Sequence, residues 1–197
     1  MYDKLKINIE IQNKTGEWNV MKTVETKNKL NVVLRSPKES DAKEIIEFYN
    51  IVGGETTYLS FGAGEYKVSI EQQESTIKSV NESDNNTMIL ATIDDKIIGI
   101  GTISSNQKKK GKHVGELGIV IKEEYCNVGL GKIMMDELID WCKSNGITSR
   151  IGLSVRKDNP RAIELYKKCG FEVEGTLKNE TYIDGEFFDI IVMGLII

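Results

Sequence analysis

The sequence has few of the residues that build metal centres and disulfide frameworks. Its 197 residues include one histidine, and its three cysteines, Cys126, Cys142 and Cys169, are widely spaced. Because there is no CxxC pair and no Cys/His cluster, we predict neither a structural zinc site nor a disulfide framework, and no metal cofactor. Unpaired cysteines of this kind are typical of a reducing cytoplasm.

The sequence also lacks long hydrophobic runs and a surplus of positive charge. No apolar run approaches the ~20 residues that a membrane-spanning helix requires, and polar residues interrupt the N-terminal segment, which argues against a signal peptide. With 30 acidic and 26 basic residues, the net charge of -4 leaves no basic surplus to neutralise nucleic-acid phosphates. The lysine-rich run at 108–112 is typical of a solvated hairpin loop. We therefore expect neither a membrane nor a nucleic acid as partner.

What the sequence does contain is a globular composition, with 40% hydrophobic and 28% charged residues, in a chain long enough for one core of ordinary size. Residues 1–28 form a distinct extension in which apolar and polar residues alternate around a turn signal at Asn13–Gly16. This pattern predicts a β-hairpin that packs on the main domain or on a partner chain, with a partly ordered tail as the alternative. A homodimer is left open. Residues 29–197 are predicted to form a single domain.

Capping patterns predict where the first helices begin. Ser36–Glu39 is expected to start a helix that ends near Asn50, and Ser69–Gln72 is expected to start one that ends near Val80. The segment between them, 51–68, is rich in glycines and aromatic residues. We predict that this segment is a loop that either walls a binding site or covers the core.

The full order of elements is strand, two helices, three antiparallel strands, helix, strand, helix and two strands. The last helix is expected to begin at Asn159–Pro160 because Asn is a good cap and Pro suits the first helical position. The final strands are predicted at 171–176 and 186–195, with an Asp184–Gly185 turn signal between them. This order indicates one mixed α/β domain.

The most informative pattern is a strand, a glycine-containing loop and a helix. Apolar residues at 117–121 predict the strand, CNVGLG at 126–131 forms the loop, and helical spacing follows. Such a loop directs backbone N–H groups and the positive end of a helix dipole at one point, which suits a phosphate. A P-loop is disfavoured because Ile133 replaces the magnesium-binding hydroxyl residue, and a dinucleotide-binding motif is disfavoured because Met134 replaces its last glycine.

The loop instead resembles that of the Gcn5-related N-acetyltransferases. Their pyrophosphate loop follows the pattern Arg/Gln-x-x-Gly-x-Gly/Ala, which Gly129 and Gly131 match, whereas Cys126 replaces the usual Arg or Gln. The run NPRAIELYKKCGF is similar to the family's second motif, with Asn159 and Tyr166 in the expected places. The resemblance covers the chain from about residue 30 to its end. It implies an α/β fold with a mixed, mostly antiparallel twisted sheet of about seven strands, flanked by about four helices, whose fourth and fifth strands splay apart.

The resemblance also implies that acetyl-CoA is the co-substrate. Its pantetheine arm would lie between the splayed strands like an additional strand, and the loop amides would hold its pyrophosphate. The residues that the resemblance assigns to the coenzyme are Ile119, Val120, Ile121, Cys126, Asn127, Val128, Gly129, Leu130, Gly131, Lys132, Asn159 and Tyr166. We expect Cys126 to be a small, partly buried residue rather than a nucleophile, since no general base lies near it in sequence.

Acetylation of an amine requires a neutral nucleophile, and a free alkyl amine has a pKa of about 10. The resemblance gives Glu116, ten positions before Cys126, as the candidate base; the alternative is an exposed carboxylate paired with Lys112 or another lysine. Tyr166 is the candidate acid for the leaving thiol, with a tyrosine that only packs in the core as the alternative. Ser154 occupies the other position from which the family draws a base, which weakens the case for ribosomal-protein N-termini as substrates.

The acceptor is expected to be a primary amine of a small molecule that is amino acid-like, a polyamine or an antibiotic, attacking directly in a ternary complex. Candidate acceptor contacts lie in the 51–68 loop and the last strands: Tyr58, Phe61, Tyr182 and Asp189. Two alternatives stay open, namely acetylation of protein or peptide N-termini and a non-catalytic acyl-CoA sensor. The presence of both Glu116 and Tyr166 argues against the sensor.

Overall fold

The fold is organised around one nine-stranded sheet. The computed structural model describes residues 8–9 and 21–197, and within them the strand order is β1-β2-β3-β4-β5-β6-β7-β9-β8. The strands are β1 Asn8–Ile9, β2 Met21–Glu25, β3 Asn31–Arg35, β4 Thr87–Ile93, β5 Lys96–Ser105, β6 Val114–Ile121, β7 Arg150–Arg156, β8 Glu172–Ile183 and β9 Glu186–Ile196. All neighbouring pairs are antiparallel except β6 and β7, which are parallel. The predicted fold class is confirmed, and β1 and β2 add two strands to the seven that the resemblance implies.

Four α-helices accompany the sheet in the described part of the chain. They are α1 Ala42–Glu55, α2 Ile70–Asn81, α3 Leu130–Ser144 and α4 Pro160–Lys168. The predicted cap of α2 is present, because the Ser69 side chain accepts a hydrogen bond from the backbone N–H of Gln72 at 3.2 Å. The cap of α3 is Gly129, as the glycine loop predicts.

The predicted start of the first helix is wrong. Residues Glu39–Asp41 form a 3-10 turn, and α1 begins only at Ala42. The cause is the Asp41 carboxylate, which accepts hydrogen bonds from the Arg35 guanidinium at 2.6 Å and from the backbone N–H of Lys38 at 2.7 Å. These contacts fix a tight turn ahead of the helix.

The predicted end of the first helix is also wrong, because α1 continues through two glycines to Glu55. A Cβ on Gly53 would lie 2.6 Å from the carbonyl oxygen of Gly62, so the helix and the following loop approach too closely for any side chain there. The glycines of this segment therefore mark a close contact between helix and loop rather than the start of the loop.

Apolar side chains that alternate along the strands build one core on each face of the sheet. Met88, Leu90 and Ile100 pack with α1 and α2 on one face. Ile89 and Ala91 point to the other face, where they pack with α3 and α4. The central strands are thus covered on both sides, which fixes the position of β6 and of the loop that follows it.

The penultimate strand, β8, is longer than predicted and lies at the edge of the sheet. It is exposed along most of its length, so its polar residues carry no alternating apolar signal beyond the predicted end at Thr176. The turn that joins it to β9 is confirmed, since Asp184 and Gly185 have φ angles of 49° and 92°.

The described part of the N-terminal extension joins the main sheet. β1 pairs antiparallel with β2, and β2 pairs antiparallel with β3. Val24 is buried in the core beneath α3, and Lys22 forms an ion pair with Glu137 of α3 at 2.9 Å. The expected turn at Asn13–Gly16 lies outside the described residues, so the hairpin as a whole and the domain division at 28/29 stay predictions.

Candidate active site

A gap opens in the sheet between β6 and β7. The two strands pair only over Val114–Glu116 and Arg150–Gly152. Beyond these residues each strand keeps a single partner, β5 for β6 and β9 for β7. The facing edges at 117–121 and 153–156 therefore carry backbone N–H and C=O groups without a strand partner on that side. An extended ligand with amide groups fits such an edge as an added strand does.

The glycine loop follows β6 and leads into α3. Gly129 caps the helix with a φ of +88°, in the left-handed region that favours glycine. Within residues 21–197, no carbonyl oxygen accepts a hydrogen bond from the amides of 127–131, whereas the Ile133 amide donates to the Gly129 carbonyl at 3.2 Å. A Cβ on Gly131 would lie 3.2 Å from Leu165, so glycine lets α4 close against the loop. Open amides at a helix N-terminus fit a pyrophosphate group.

The two side chains of the loop region that the resemblance singles out are both engaged elsewhere. The half-buried Cys126 thiol lies 3.5 Å from the carbonyl oxygen of Lys122 and 3.8 Å from that of Ile121. The Lys132 ammonium forms an ion pair with Asp136 at 2.6 Å. Its positive charge is therefore already compensated within α3.

α4 presents the second motif to the loop. Asn159 caps the helix by accepting a hydrogen bond from the Ala162 amide at 3.1 Å. Tyr166 is buried in the core beneath α3, and burial raises its pKa to about 12. No described residue forms a hydrogen bond with the Tyr166 hydroxyl. Its oxygen is not fully enclosed by the protein. The phenol thus keeps its proton at neutral pH and has it available to donate.

Glu116 lies where the gap begins. It forms the last parallel pair, opposite Gly152 of β7, and it faces Ser104 of β5 on its other side. Its side chain is exposed and, by alternation with the buried Leu117, points to the face that carries α1 and α2. Across the described ranges, no lysine, including Lys112, lies within ion-pair distance of its carboxylate. The carboxylate is therefore open to a proton donor.

Sequence reasoning misses Arg156, which organises the end of β7 although it is only 6% exposed. Its guanidinium donates to the Asp158 carboxylate at 2.9 and 2.6 Å and to the Thr57 carbonyl at 2.8 Å. It also stacks on Phe188, 3.9 Å from the ring centroid, and under Tyr58 at 4.9 Å. The hydrogen bond from Arg156 lowers the pKa of Asp158. No local pattern reveals this contact, because Thr57 is 99 positions away in sequence.

An open cavity of about 380 Å³ lies beside this cluster. Its lining residues are Lys157, Asp158, Phe187, Phe188 and Asp189. The Asp189 carboxylate accepts hydrogen bonds from Lys178 at 2.9 Å, from the Asn179 amide at 3.2 Å and from Lys157 at 3.3 Å. These contacts, led by Lys178, lower the pKa of Asp189 to about 2. The cavity thus combines aromatic rings with a carboxylate whose charge two lysines balance.

One acceptor candidate lines this cavity, and two others contact residues that line it. Asp189 lines it, and the Tyr58 hydroxyl donates to the carbonyl oxygen of Asp158 at 3.1 Å. The exposed ring of Tyr182 packs on Phe187 with 4.8 Å between the centroids. Tyr58 and Tyr182 are therefore each in contact with one lining residue, although they are far apart in sequence.

The fourth candidate, Phe61, lies in a different aromatic cluster. Its ring centroid is 5.7 Å from that of Tyr49 on α1 and 5.9 Å from that of Tyr66. The Tyr66 hydroxyl in turn donates to Gln73 of α2 at 2.8 Å. Through these contacts, Phe61 packs the loop after α1 onto the helices.

The gap, the glycine loop and α4 all fall within a region that matches a known protein family. A model described as the acetyltransferase (GNAT) family matches residues 48–171. The chain belongs to the GNAT family. The match covers the element order from α1 to the end of α4, and the family's name stands for the Gcn5-related N-acetyltransferases that the sequence resembles.

This GNAT chain is similar to two curated proteins over part of its length. L-amino acid N-acetyltransferase AaaT of Escherichia coli strain K12 is 37% identical over 105 residues, which make up 53% of this chain and 65% of that protein. Spermidine N(1)-acetyltransferase of Vibrio cholerae serotype O1 is 32% identical over 75 residues, which make up 38% of this chain and 43% of that protein. The chain thus spans less than two thirds of each of these relatives.

A solved structure extends the likeness to nearly a whole chain. The acetyltransferase of the GNAT family from Streptococcus pneumoniae superposes with a TM-score of 0.83 at 36% identity, covering 84% of this chain and 99% of that one. In the part of this GNAT chain that the structure describes, no group of three or more His, Cys, Asp or Glu side chains is placed to hold a metal ion. None of the helices described is long and apolar enough to cross a membrane.

Proposed function

We propose that this chain is an N-acetyltransferase that moves the acetyl group of acetyl-CoA to the primary amine of a small, amino acid-like molecule. The observation that carries the proposal is the gap between β6 and β7, which ends beside a glycine loop whose amides are open. Membership of the GNAT family supports the same reaction. The acceptor attacks directly, in a ternary complex with the coenzyme.

The coenzyme site consists of the strand edge and the loop. Backbone groups of Ile119–Ile121 would pair with the amides of the pantetheine arm, and the open amides at 127–131 would hold the pyrophosphate. Bound there, acetyl-CoA supplies an activated thioester. Asn159 has a positioning role, because its cap fixes the start of α4 and thereby the position of Tyr166.

The chain's own residues handle the two protons. An alkyl ammonium of pKa about 10 is neutral in only about one molecule in a thousand at pH 7, so Glu116 takes a proton from the acceptor directly or through water. The amine nitrogen then forms a bond to the acetyl carbon as the carbon–sulfur bond breaks, and the proton that the nitrogen loses on becoming an amide passes through water to the departing thiolate. Tyr166 donates a hydrogen bond to the departing sulfur. Because its pKa is about 12, above that of an ordinary thiol, it stabilises the thiolate more by this hydrogen bond than by full proton transfer.

The cavity at the end of β7 favours an amino acid-like acceptor over a polyamine. Asp189 is the carboxylate that could attract a polycation, but Lys157 and Lys178 already balance its charge. Because Lys157 and Lys178 together carry one more charge than Asp189, this positive surplus suits an acceptor carboxylate, and the rings of Phe187 and Phe188 suit an apolar side chain. Tyr58 and Tyr182 extend this apolar surface.

A panel of amines tests the proposal. The protein is incubated with acetyl-CoA and with amino acids, polyamines, aminoglycosides or peptides with free N-termini, and the release of free thiol is followed. We expect amino acids to give the highest kcat/KM. Release with peptides alone would favour the N-terminal acetyltransferase instead, and tight acetyl-CoA binding without release on any amine would favour the sensor.

A further inference from the structure

The turn between β2 and β3 lies directly against the glycine loop. The backbone N–H of Lys27 donates to the carbonyl oxygen of Val128 at 2.9 Å. The aliphatic chain of Lys27 covers Gly129, because a Cβ built on that glycine would lie 3.2 Å from Cγ and 3.4 Å from both Cδ and Cε of the lysine. The stem of Lys27 therefore runs along the loop and carries its ammonium group there.

This turn is held in place by its own hydrogen bonds. Thr26 is only 3% exposed, and its hydroxyl donates to the Asn28 side chain at 2.5 Å and accepts from the Leu30 amide at 3.1 Å. Its backbone N–H donates to the Leu30 carbonyl at 2.9 Å, and Lys29 takes a left-handed φ of 64°. The position of Lys27 is thus fixed by the turn between β2 and β3.

The loop itself offers no uncompensated cation. Cys126 stands where the family pattern has Arg or Gln, and Lys132 is paired with Asp136. In contrast, no carboxylate of the described residues lies within 4.0 Å of the Lys27 ammonium. The N-terminal extension therefore places a positive charge beside the loop, in which Cys126 replaces the Arg or Gln of the family pattern.

We propose that Lys27 binds the pyrophosphate of coenzyme A and supplies the side-chain contact that Cys126 does not provide. The inference rests on the proposed coenzyme site. It gives the described part of the extension a role in binding, in addition to its place in the sheet. Because the ammonium is exposed, we expect a contact of modest strength that weakens with salt.

The test compares Lys27→Met, which keeps an aliphatic chain over Gly129 and removes the charge, with Lys27→Arg, which keeps the charge. Lys29→Met is the matched control, since it removes the same charge from the same turn. The Kd values for CoA and for dephospho-CoA, which has the pyrophosphate but no 3′-phosphate, are measured by titration calorimetry at low and high salt. Thermal denaturation of each free protein confirms folding.

We expect Lys27→Met to weaken both ligands by about 5-fold at low salt, the upper end for one exposed charged contact, and to reduce the salt dependence. Lys27→Arg and Lys29→Met should each stay within about 2-fold of the wild type. Equal binding by Lys27→Met and the wild type, or equal losses in Lys27→Met and Lys29→Met, would overturn the role of Lys27. A loss confined to CoA would overturn the pyrophosphate assignment. A wild-type protein that binds neither ligand would overturn the coenzyme site itself.

Discussion

The two residues proposed to handle protons differ sharply in environment. Tyr166 is buried, and burial raises its pKa to about 12, so it remains protonated wherever amines react. Glu116 is exposed at the mouth of the gap and carries no ion-pair partner among the described side chains. A buried proton donor on one side of the sheet and an accessible proton acceptor on the other suit the proposed reaction. The amine enters from solvent, and the thiol leaves within the fold.

Replacing Tyr166 by Phe removes the donor and keeps the ring in the core. We expect kcat to fall by about 10-fold or more, while the Kd for acetyl-CoA changes little because the backbone groups that bind it are intact. Steady-state kinetics and titration calorimetry measure the two effects. Tyr66→Phe is the control, since it removes a half-buried hydroxyl that donates to Gln73 on the other face of the sheet. If kcat is unchanged in Tyr166→Phe, the tyrosine has no part in the chemistry.

Glu116→Gln replaces the candidate base by a neutral side chain of the same shape. We expect kcat/KM to fall by about 10-fold or more at pH 7, because the acceptor must then lose its proton without a base, and the loss should shrink as the pH rises toward the amine pKa of about 10. The pH dependence of kcat/KM measures this directly. An unchanged rate at pH 7, or a loss of equal size at every pH, would assign the base to another group or to a water chain.

At the scale of elements, two helix caps make it possible to distinguish an effect on stability from an effect on catalysis. Ser69 and Asn159 each accept a hydrogen bond from an amide in the first turn of their helix, α2 and α4 respectively. Only α4 carries a residue of the proposed mechanism. The caps therefore form a matched pair in which the same local contact has different consequences for the reaction.

Asn159→Ala and Ser69→Ala should each lower the free energy of unfolding by about 1 kcal/mol, the usual cost of a lost cap. We expect Asn159→Ala to lower kcat as well, because the start of α4 positions Tyr166, whereas Ser69→Ala should leave kcat unchanged. Urea denaturation and steady-state kinetics provide the two measurements. A similar loss of activity in both variants would mean that general destabilisation, and not the position of α4, limits turnover.

At the scale of the whole molecule, the parts predicted from sequence are those with local patterns. The glycine loop, the strand before it and the Asn159 cap all lie within short, regular stretches. The Arg156 cluster and the Lys27 contact could not be predicted, because each joins residues about a hundred positions apart. The start of α1 was missed for a different reason, since Arg35 and Asp41 are only 6 positions apart but no helix pattern reveals that they pair before the helix begins.

Direct transfer without a covalent intermediate is a prediction about the whole site. The Cys126 thiol contacts the carbonyl oxygens of Ile121 and Lys122, and no described side chain lies against it as an activating base. We expect intersecting lines in double-reciprocal plots with both substrates varied, and Cys126→Ser should keep kcat within about 3-fold of the wild type. Parallel lines that depend on Cys126 would instead show an acyl-enzyme.

The central claim is tested most directly by following the acetyl group. The protein is incubated with acetyl-CoA that carries an isotopic label in the acetyl group and with the best acceptor of the amine panel, and the products are identified by mass spectrometry. The account predicts that the label appears in an amide of the acceptor, in an amount equal to the free thiol released. Label found only as free acetate, or only attached to the protein, would contradict transfer to a small amine.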